Sequence, residues 1–434
     1  MTDAVAARTA WFTEARFGLF VHWGLYSLAA RHEWVKLREH LDDEHYDRYF
    51  RHFRGDRYDP ARWARDARRA GMRYAILTSK HHEGFCLWDS THTDYKVTNT
   101  PAGRDVLAEF VDAFRAEGLR VGFYYSLIDW HHPDYPWDGM HPRWERGGDN
   151  HEGDLDSYVD YLHAQVRELV TAHRPDVLWF DFSFPEPASG LDNGKGRDHW
   201  RSADLVAMVR ELAPATLVND RLDLPGSADF LTPEERSPHD DLTERGLPWE
   251  TCRTLNGSWG YAPGFQQWLD AGQVIRVLVD GVAKNGNLLL NVGPTARGEF
   301  EPRARALLAE VGDWLEVHSD AIHGAGPSRF PTPDDCRLTQ RGDRLYLHLF
   351  AWPSGQVVLP GLAGHLEYAA FLHDGAEVEF TEIRDWRPDV PHRVAPGPEG
   401  SVVLRLPTVR PEQEVPVVEL VLVDPGHGTA SPAD

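Results

Sequence analysis

The sequence predicts an α/β fold, a (β/α)8-like barrel with room for missing helices, followed by a C-terminal antiparallel β-sandwich. Three observations carry this. Up to about residue 323, short apolar strand runs alternate with helical stretches, the pattern of parallel strands joined by right-handed crossovers. Beyond that point the texture changes to short β-type runs between Gly- and Pro-containing turns. Several of the early runs also end in polar or aromatic residues. The run 176–182, Asp-Val-Leu-Trp-Phe-Asp-Phe, is the central case, with one carboxylate, Asp181, at its tip. In barrels chemistry gathers where parallel strands end. An acid there must be solvated, paired or used. The expected division is a catalytic barrel over 1–323, a sandwich over 324–425 and a disordered tail over 426–434.

The elements follow in order. Residues 16–24 read as a buried strand ending at His22 and Trp23, with Glu33 and Trp34 in the loop after it. Asp59-Pro60 opens a helix that Gly71 ends. The second strand, 74–80, ends in His81-His82-Glu83-Gly84-Phe85. A helix over about 105–117 leads to a third strand at 120–126, tipped by Asp129, Trp130, His131 and His132. A helix over about 155–172 precedes the strand of Asp181. A helix near 203–212 comes before a short strand at 216–219, tipped by Asp220 and Arg221. The stretch 222–247 holds too many Pro and charged residues for a regular helix, so a long active-site loop is expected there. Strands are expected at 249–254 and 287–292, with helices over about 265–283 and 302–317. In the second domain the β-type runs are 344–350, 356–359, 377–380, 401–406 and 415–423.

Composition limits the partners. The 434 residues suffice for a barrel and a smaller domain. Lys and Arg total 45 against 68 Asp and Glu, a net charge of −23, which repels phosphate backbones and anionic membranes. Neither nucleic acid nor a membrane is expected as a partner. Three scattered cysteines show no disulfide or metal spacing. The N-terminus lacks a signal-peptide pattern, so a cytoplasmic location is the default. Oligomeric state is not legible.

The strand tips together supply His22, Glu33, Trp34, His81, His82, Tyr125, Trp179, Asp181 and Arg221. Carboxylates, imidazoles, an Arg and aromatics suit a polyhydroxylated ligand, whose apolar face stacks on Trp. If His81 and His82 are still extended at the strand end, their side chains point to opposite faces and do not easily chelate one ion. They share a pocket only if the chain turns there. No His-Glu-x-x-His motif occurs. No metal and no cofactor are expected. Glycoside hydrolysis needs two carboxyl groups. Asp181 is the candidate for the one beside the anomeric carbon. For the other, Glu234, on a loop able to close over a substrate, competes with Glu250, at the start of a strand. The residues alone leave that choice nearly even.

At this point the chain resembles the α-L-fucosidases of glycoside hydrolase family 29. The resemblance rests on residues 17–24 (Phe-Gly-Leu-Phe-Val-His-Trp-Gly), Glu33-Trp34, 80–88 (Lys-His-His-Glu-Gly-Phe-Cys-Leu-Trp) and Tyr124-Tyr125-Ser126. It extends through 178–181, Asn219-Asp220-Arg221, 258–261 and 286–294, over about 11–322 of the chain. It implies a retaining enzyme acting on terminal α-L-fucose of glycans or fucosides. It places Asp181 as nucleophile and Glu234 as acid/base. It also implies His22, Glu33, Trp34, His81, His82, Tyr125, Trp179 and Arg221 around the sugar. One departure is visible. Val35 stands where members often have Tyr, so an aromatic wall beside Trp34 is not carried over. The rival readings are an exo-glycosidase for a related sugar such as a galactoside, and a catalytically silent carbohydrate-binding protein.

Overall fold

Short, strongly apolar runs form the barrel strands, and acidic caps set several of the helices between them. The computed structural model describes residues 3–144, 153–186, 188–235, 247–384 and 396–423. The tail expected over 426–434 lies outside these, as does 236–246 of the long loop. Helix α1 (Asp3–Ala15) precedes strand β1 (Phe17–Val21). The short helices α2 (Tyr26–Ala29) and α3 (Val35–Arg38) flank Glu33 and Trp34, and α4 (Asp43–His52) follows. In α5 (Pro60–Arg69) Asp59 accepts the Arg62 N–H and Pro60 sits in the first turn. Next come β2 (Tyr74–Lys80), α6 (Val106–Ala116), β3 (Arg120–Ser126), α7 (Leu155–His173) and β4 (Val177–Asp181). Then α8 (Ser202–Leu212), β5 (Leu217–Val218), β6 (Trp249–Thr254), α9 (Ala271–Ala283), β7 (Gly286–Val292) and α10 (Pro302–His318) complete the unit.

One expected helix starts later, and one helix was not expected. The helix expected from about 265 begins at Ala271, because Asp270 and Gln273 cap each other's backbone there. Helix α1 escapes a periodicity reading because it has no one-sided apolar stripe. Its role is to plug the bottom of the barrel. Phe12 packs against Tyr74 and Phe230, and its carbonyl accepts from Asn287 Nδ2 at 2.8 Å.

The seven strands form one parallel curled sheet in the order β5-β4-β3-β2-β1-β7-β6. Alternation along each strand divides the core. Phe20, Ile76, Tyr124, Trp179 and Leu289 fill the interior, while Leu19, Leu77, Phe123, Phe180 and Leu290 face the helices. The gap between β5 and β6 is bridged by the extended segment 229–235. It makes parallel bridges Asn219↔Phe230 on one side and Leu231↔Trp249 and Glu234↔Cys252 on the other. Asp229 pins this segment. It is fully buried, and it accepts from Arg8, from Arg210 and from the Val218 N–H at 2.8 Å. Among the described residues no helix separates β5 from this segment. The start of the expected loop is therefore part of the barrel wall.

Strands β8 (Gly326–Pro327), β9 (Cys336–Arg341), β10 (Arg344–Leu349), β11 (Gln356–Leu359), β12 (Leu366–Phe371), β13 (Phe380–Glu382), β14 (Val402–Arg405) and β15 (Val417–Leu422) form two antiparallel sheets. Their orders are β12-β15-β10-β9-β8 and β11-β14-β13. Leu345, Leu347 and Leu420 of one share a core with Leu359, Val402 and Leu404 of the other. Strands β8, β9 and β12 escaped the sequence reading, and of the run expected at 377–380 Glu377 makes an isolated antiparallel bridge to Ala370 while Phe380 opens β13. This sandwich docks on the barrel's last helices. Trp314 Nε1 donates to Val415 O at 2.9 Å, and Arg337 pairs with Asp280 at 2.6 Å.

Candidate active site

The inward residues at the strand ends enclose a cavity of about 190 Å³, space for one sugar ring rather than a chain of them. Asp181 closes β4 and stands at its floor. Its Oδ2 accepts from Tyr124 Oη at 2.8 Å, and its Oδ1 accepts from Arg221 Nη1 at 2.8 Å and from the Phe182 N–H at 3.0 Å. Arg221 also donates through Nη2 to Glu234 Oε2 at 2.7 Å, so one guanidinium spans both carboxylates. Its own charge is held firmly. Burial works against it, but Asp181 and Glu234 raise it further above its ordinary range. The guanidinium lies 4.4 Å over the Trp179 ring, which forms part of the floor.

The two carboxyl groups differ in access. The Asp181 side chain is 11% exposed and that of Glu234 is 42% exposed. Glu234 therefore stands at the mouth, on the segment that bridges β5 and β6. Glu250 is fully buried beneath Trp179, accepting from Trp179 Nε1 at 3.3 Å and from Tyr74 Oη. Burial pushes its carboxyl up to about 8 against those two donors.

His22, His81 and His82 all line the cavity. Of the two arrangements the sequence left open for His81 and His82, extended backbone or a turn, the structure has the turn. Strand β2 ends at Lys80 with a register shift against β3, and the turn brings the two rings to 4.0 Å. Burial keeps all three imidazoles neutral. It takes His22 down to about 3 and His82 to about 4, while His81 falls well below its ordinary value with His82 and His22 adding to the effect.

Trp34, Trp179 and Arg221 also line the cavity. Two expected sugar contacts do not. Tyr125 points outward, donates to Gln165 Oε1 at 2.8 Å and lies under Lys80 Nζ. Its neighbour Tyr124 takes the inward place, because successive strand residues face opposite sides. Glu33 is buried behind the wall and accepts the Gly260 N–H at 2.9 Å. It thereby holds the turn that carries Trp259, whose ring stands 5.2 Å from His22. Gly293 permits that turn to pack, since a Cβ there would stand 2.6 Å from the Gly260 carbonyl carbon.

Sequence reasoning missed Phe20, Tyr124, Phe182, Phe184, Cys252 and Trp259. Phe20 was within reach, since it is two residues from His22 on the same strand face. Phe182 was not. It adopts φ 74°, a left-handed conformation costing about 1–2 kcal/mol for a residue with a Cβ. That turn folds its ring onto His82 at 4.5 Å and Trp34 at 5.4 Å.

Residues 2–320 match the family model described as α-L-fucosidase. Plasma α-L-fucosidase of Homo sapiens is 30% identical over 385 residues, 81% of this chain and 78% of that protein. Among solved structures, α-L-fucosidase isoenzyme 1 from Paenibacillus thiaminolyticus has a TM-score of 0.87 and 43% identity, covering 97% of this chain and all of that one. A family 29 fucosidase from Bacteroides thetaiotaomicron, trapped as a covalent intermediate with 2-fluoro-fucosyl fluoride, has a TM-score of 0.83 and 26% identity. That match covers 98% of this chain and 97% of that one.

Proposed function

This chain belongs to the α-L-fucosidase family and is a retaining, fucose-releasing glycoside hydrolase, and we propose that Asp181 is its nucleophile and Glu234 its general acid and base. The observation that supports this most is the contrast in access between two carboxyl groups joined by one Arg221. The nucleophile must stay ionised beneath the anomeric carbon, and Asp181 is enclosed by three donors. The acid/base must gain and lose a proton in each cycle, and Glu234 is open to solvent at the mouth.

In the first step Asp181 attacks C1 while Glu234 protonates the departing glycosidic oxygen, giving a fucosyl ester. In the second, Glu234 takes a proton from water, the water adds to C1 and the Asp181 ester bond breaks. Arg221 stabilises Asp181 as it is released. The three neutral imidazoles meet the sugar hydroxyls without adding charge, and Phe20, Trp179 and Trp259 supply apolar faces suited to a deoxy sugar with a methyl group. The one-ring cavity supports action on terminal fucose of a fucosylated glycoside.

Incubation with 2-fluoro-fucosyl fluoride followed by peptide mass spectrometry tests the assignment. The fluorofucosyl mass should appear on Asp181. A label on any other side chain overturns it. The strand parity makes a second prediction. Tyr124→Phe removes a hydrogen bond to the nucleophile and should lower kcat by about tenfold. Tyr125→Phe should leave kcat unchanged and cost about 1 kcal/mol of stability through the lost contact with Gln165. Steady-state kinetics with thermal unfolding reads both. The opposite ranking would mean that Tyr125 faces the sugar.

A further inference from the structure

We infer that Glu83 is a positioning residue that holds His81 as the Nε2–H tautomer, making His81 the donating imidazole of the cavity while His22 and His82 present acceptors. The inference rests on the reading of this cavity as the sugar site.

The tautomers of His22 and His82 follow from their partners. His22 Nδ1 lies 2.7 Å from Asn291 Oδ1, and Asn291 Nδ2 donates to Trp259 O at 2.7 Å, which fixes the amide's orientation. An amide oxygen only accepts, so His22 carries its proton on Nδ1. His82 Nδ1 lies 2.8 Å from Ser126 Oγ, whose single proton goes to Ile128 O at 2.7 Å. The hydroxyl must therefore accept, and His82 too is protonated on Nδ1. Both rings are neutral, so each leaves Nε2 as an acceptor.

His81 has a different partner. Its Nδ1 is fully buried and faces Glu83 Oε2 at 4.0 Å. Among the described residues neither atom has a hydrogen-bond partner. The other oxygen, Oε1, accepts the Leu25 N–H at 3.2 Å. Gly24 leaves room for it, since a Cβ there would stand 2.7 Å away. The groups facing this carboxyl besides His81 are Tyr26, Lys36, Tyr46, Tyr95 and Asp129. Burial outweighs the Leu25 N–H, Lys36 and the Tyr46 hydroxyl and pushes the Glu83 carboxyl up to about 8. At neutral pH it is a carboxylic acid, so its O–H donates to Nδ1 and the His81 proton stays on Nε2. Above that range it becomes a carboxylate, which draws the proton to Nδ1 and turns His81 into a third acceptor. A sugar hydroxyl that had accepted from His81 then loses its donor.

Nitrogen NMR of the ligand-free enzyme labelled at histidine tests this, with His81 assigned by the signals lost in His81→Asn. At neutral pH His81 should be Nε2–H, with His22 and His82 Nδ1–H. Raising the pH through about 8 should move the His81 proton to Nδ1 and raise KM by about tenfold, with a smaller change in kcat. In Glu83→Gln the amide N–H donates at every pH, so neutral-pH KM should be retained and the alkaline rise lost. His81 found as Nδ1–H at neutral pH overturns the inference. So does an alkaline rise that persists in Glu83→Gln, which would assign it to Lys36, the neighbour that burial brings down to about 8. If the glutamine variant does not fold, the titration of the unaltered enzyme decides alone. The NMR reading needs no turnover, so its failure is separate from a failure of the Asp181 assignment.

Discussion

Asp181→Gly is expected to remove turnover of every fucoside, by about 10⁴-fold or more in kcat, the scale on which losing a covalent nucleophile is felt. The substitution empties the floor of the cavity beside Arg221 and Tyr124, two donors that had served the carboxylate. A small anion such as azide can enter that space and attack C1 from the same side. Added azide should therefore restore measurable turnover of an activated aryl fucoside and yield a fucosyl azide of inverted configuration. Product analysis by NMR checks this. Loss of activity without azide rescue, in a variant that folds and still binds fucose, would point to a supporting role for Asp181.

The second large effect is expected at Glu234. In Glu234→Ala the leaving oxygen departs without a proton, which costs about 10²–10⁴-fold for fucosides with alkyl or sugar leaving groups. Aryl fucosides with strongly acidic phenols need little protonation and should lose far less in their first step. A plot of rate against leaving-group pKa should steepen in this variant. Glu250→Ala should show no such dependence. It strands Tyr74 Oη and Trp179 Nε1 in the interior, at about 1–3 kcal/mol for each donor left unsatisfied, and so acts on stability and on the placement of Trp179. If the leaving-group dependence belongs to Glu250→Ala instead, the acid/base assignment is wrong.

Much of this site was legible before the fold was known, because its residues stand where apolar runs stop. Asp181, His22 and Arg221 are polar groups at the ends of strands, and all three line the cavity. Failures came where one residue decides which side a chain faces. Tyr124 and Tyr125 are chemically alike, and only pairing with β4, Tyr124↔Trp179, assigns the first to the interior. The stop of β2 at Lys80 was legible, but whether His81 and His82 then stay extended or turn into one cavity was not, because the turn is set by the register shift against β3. Glu234 reads as loop from its Pro and charged neighbours. It is held in the barrel wall by contacts made with β6 and by Arg8 and Arg210 on Asp229, which lie far away in the chain.

Local composition by itself determined the α/β order, the change to antiparallel strands in the second half, the capped helices and the inventory of polar strand tips, because each is written in neighbouring residues through periodicity, capping and turn chemistry. Only the tertiary structure decided which tips meet, that Tyr124 rather than Tyr125 supports Asp181, that Glu33 braces the wall from behind, and that one guanidinium spans an enclosed and an exposed carboxyl group. Those outcomes depend on strand register and on closure of the ring, which are set by contacts between residues distant in sequence, and no local pattern records them.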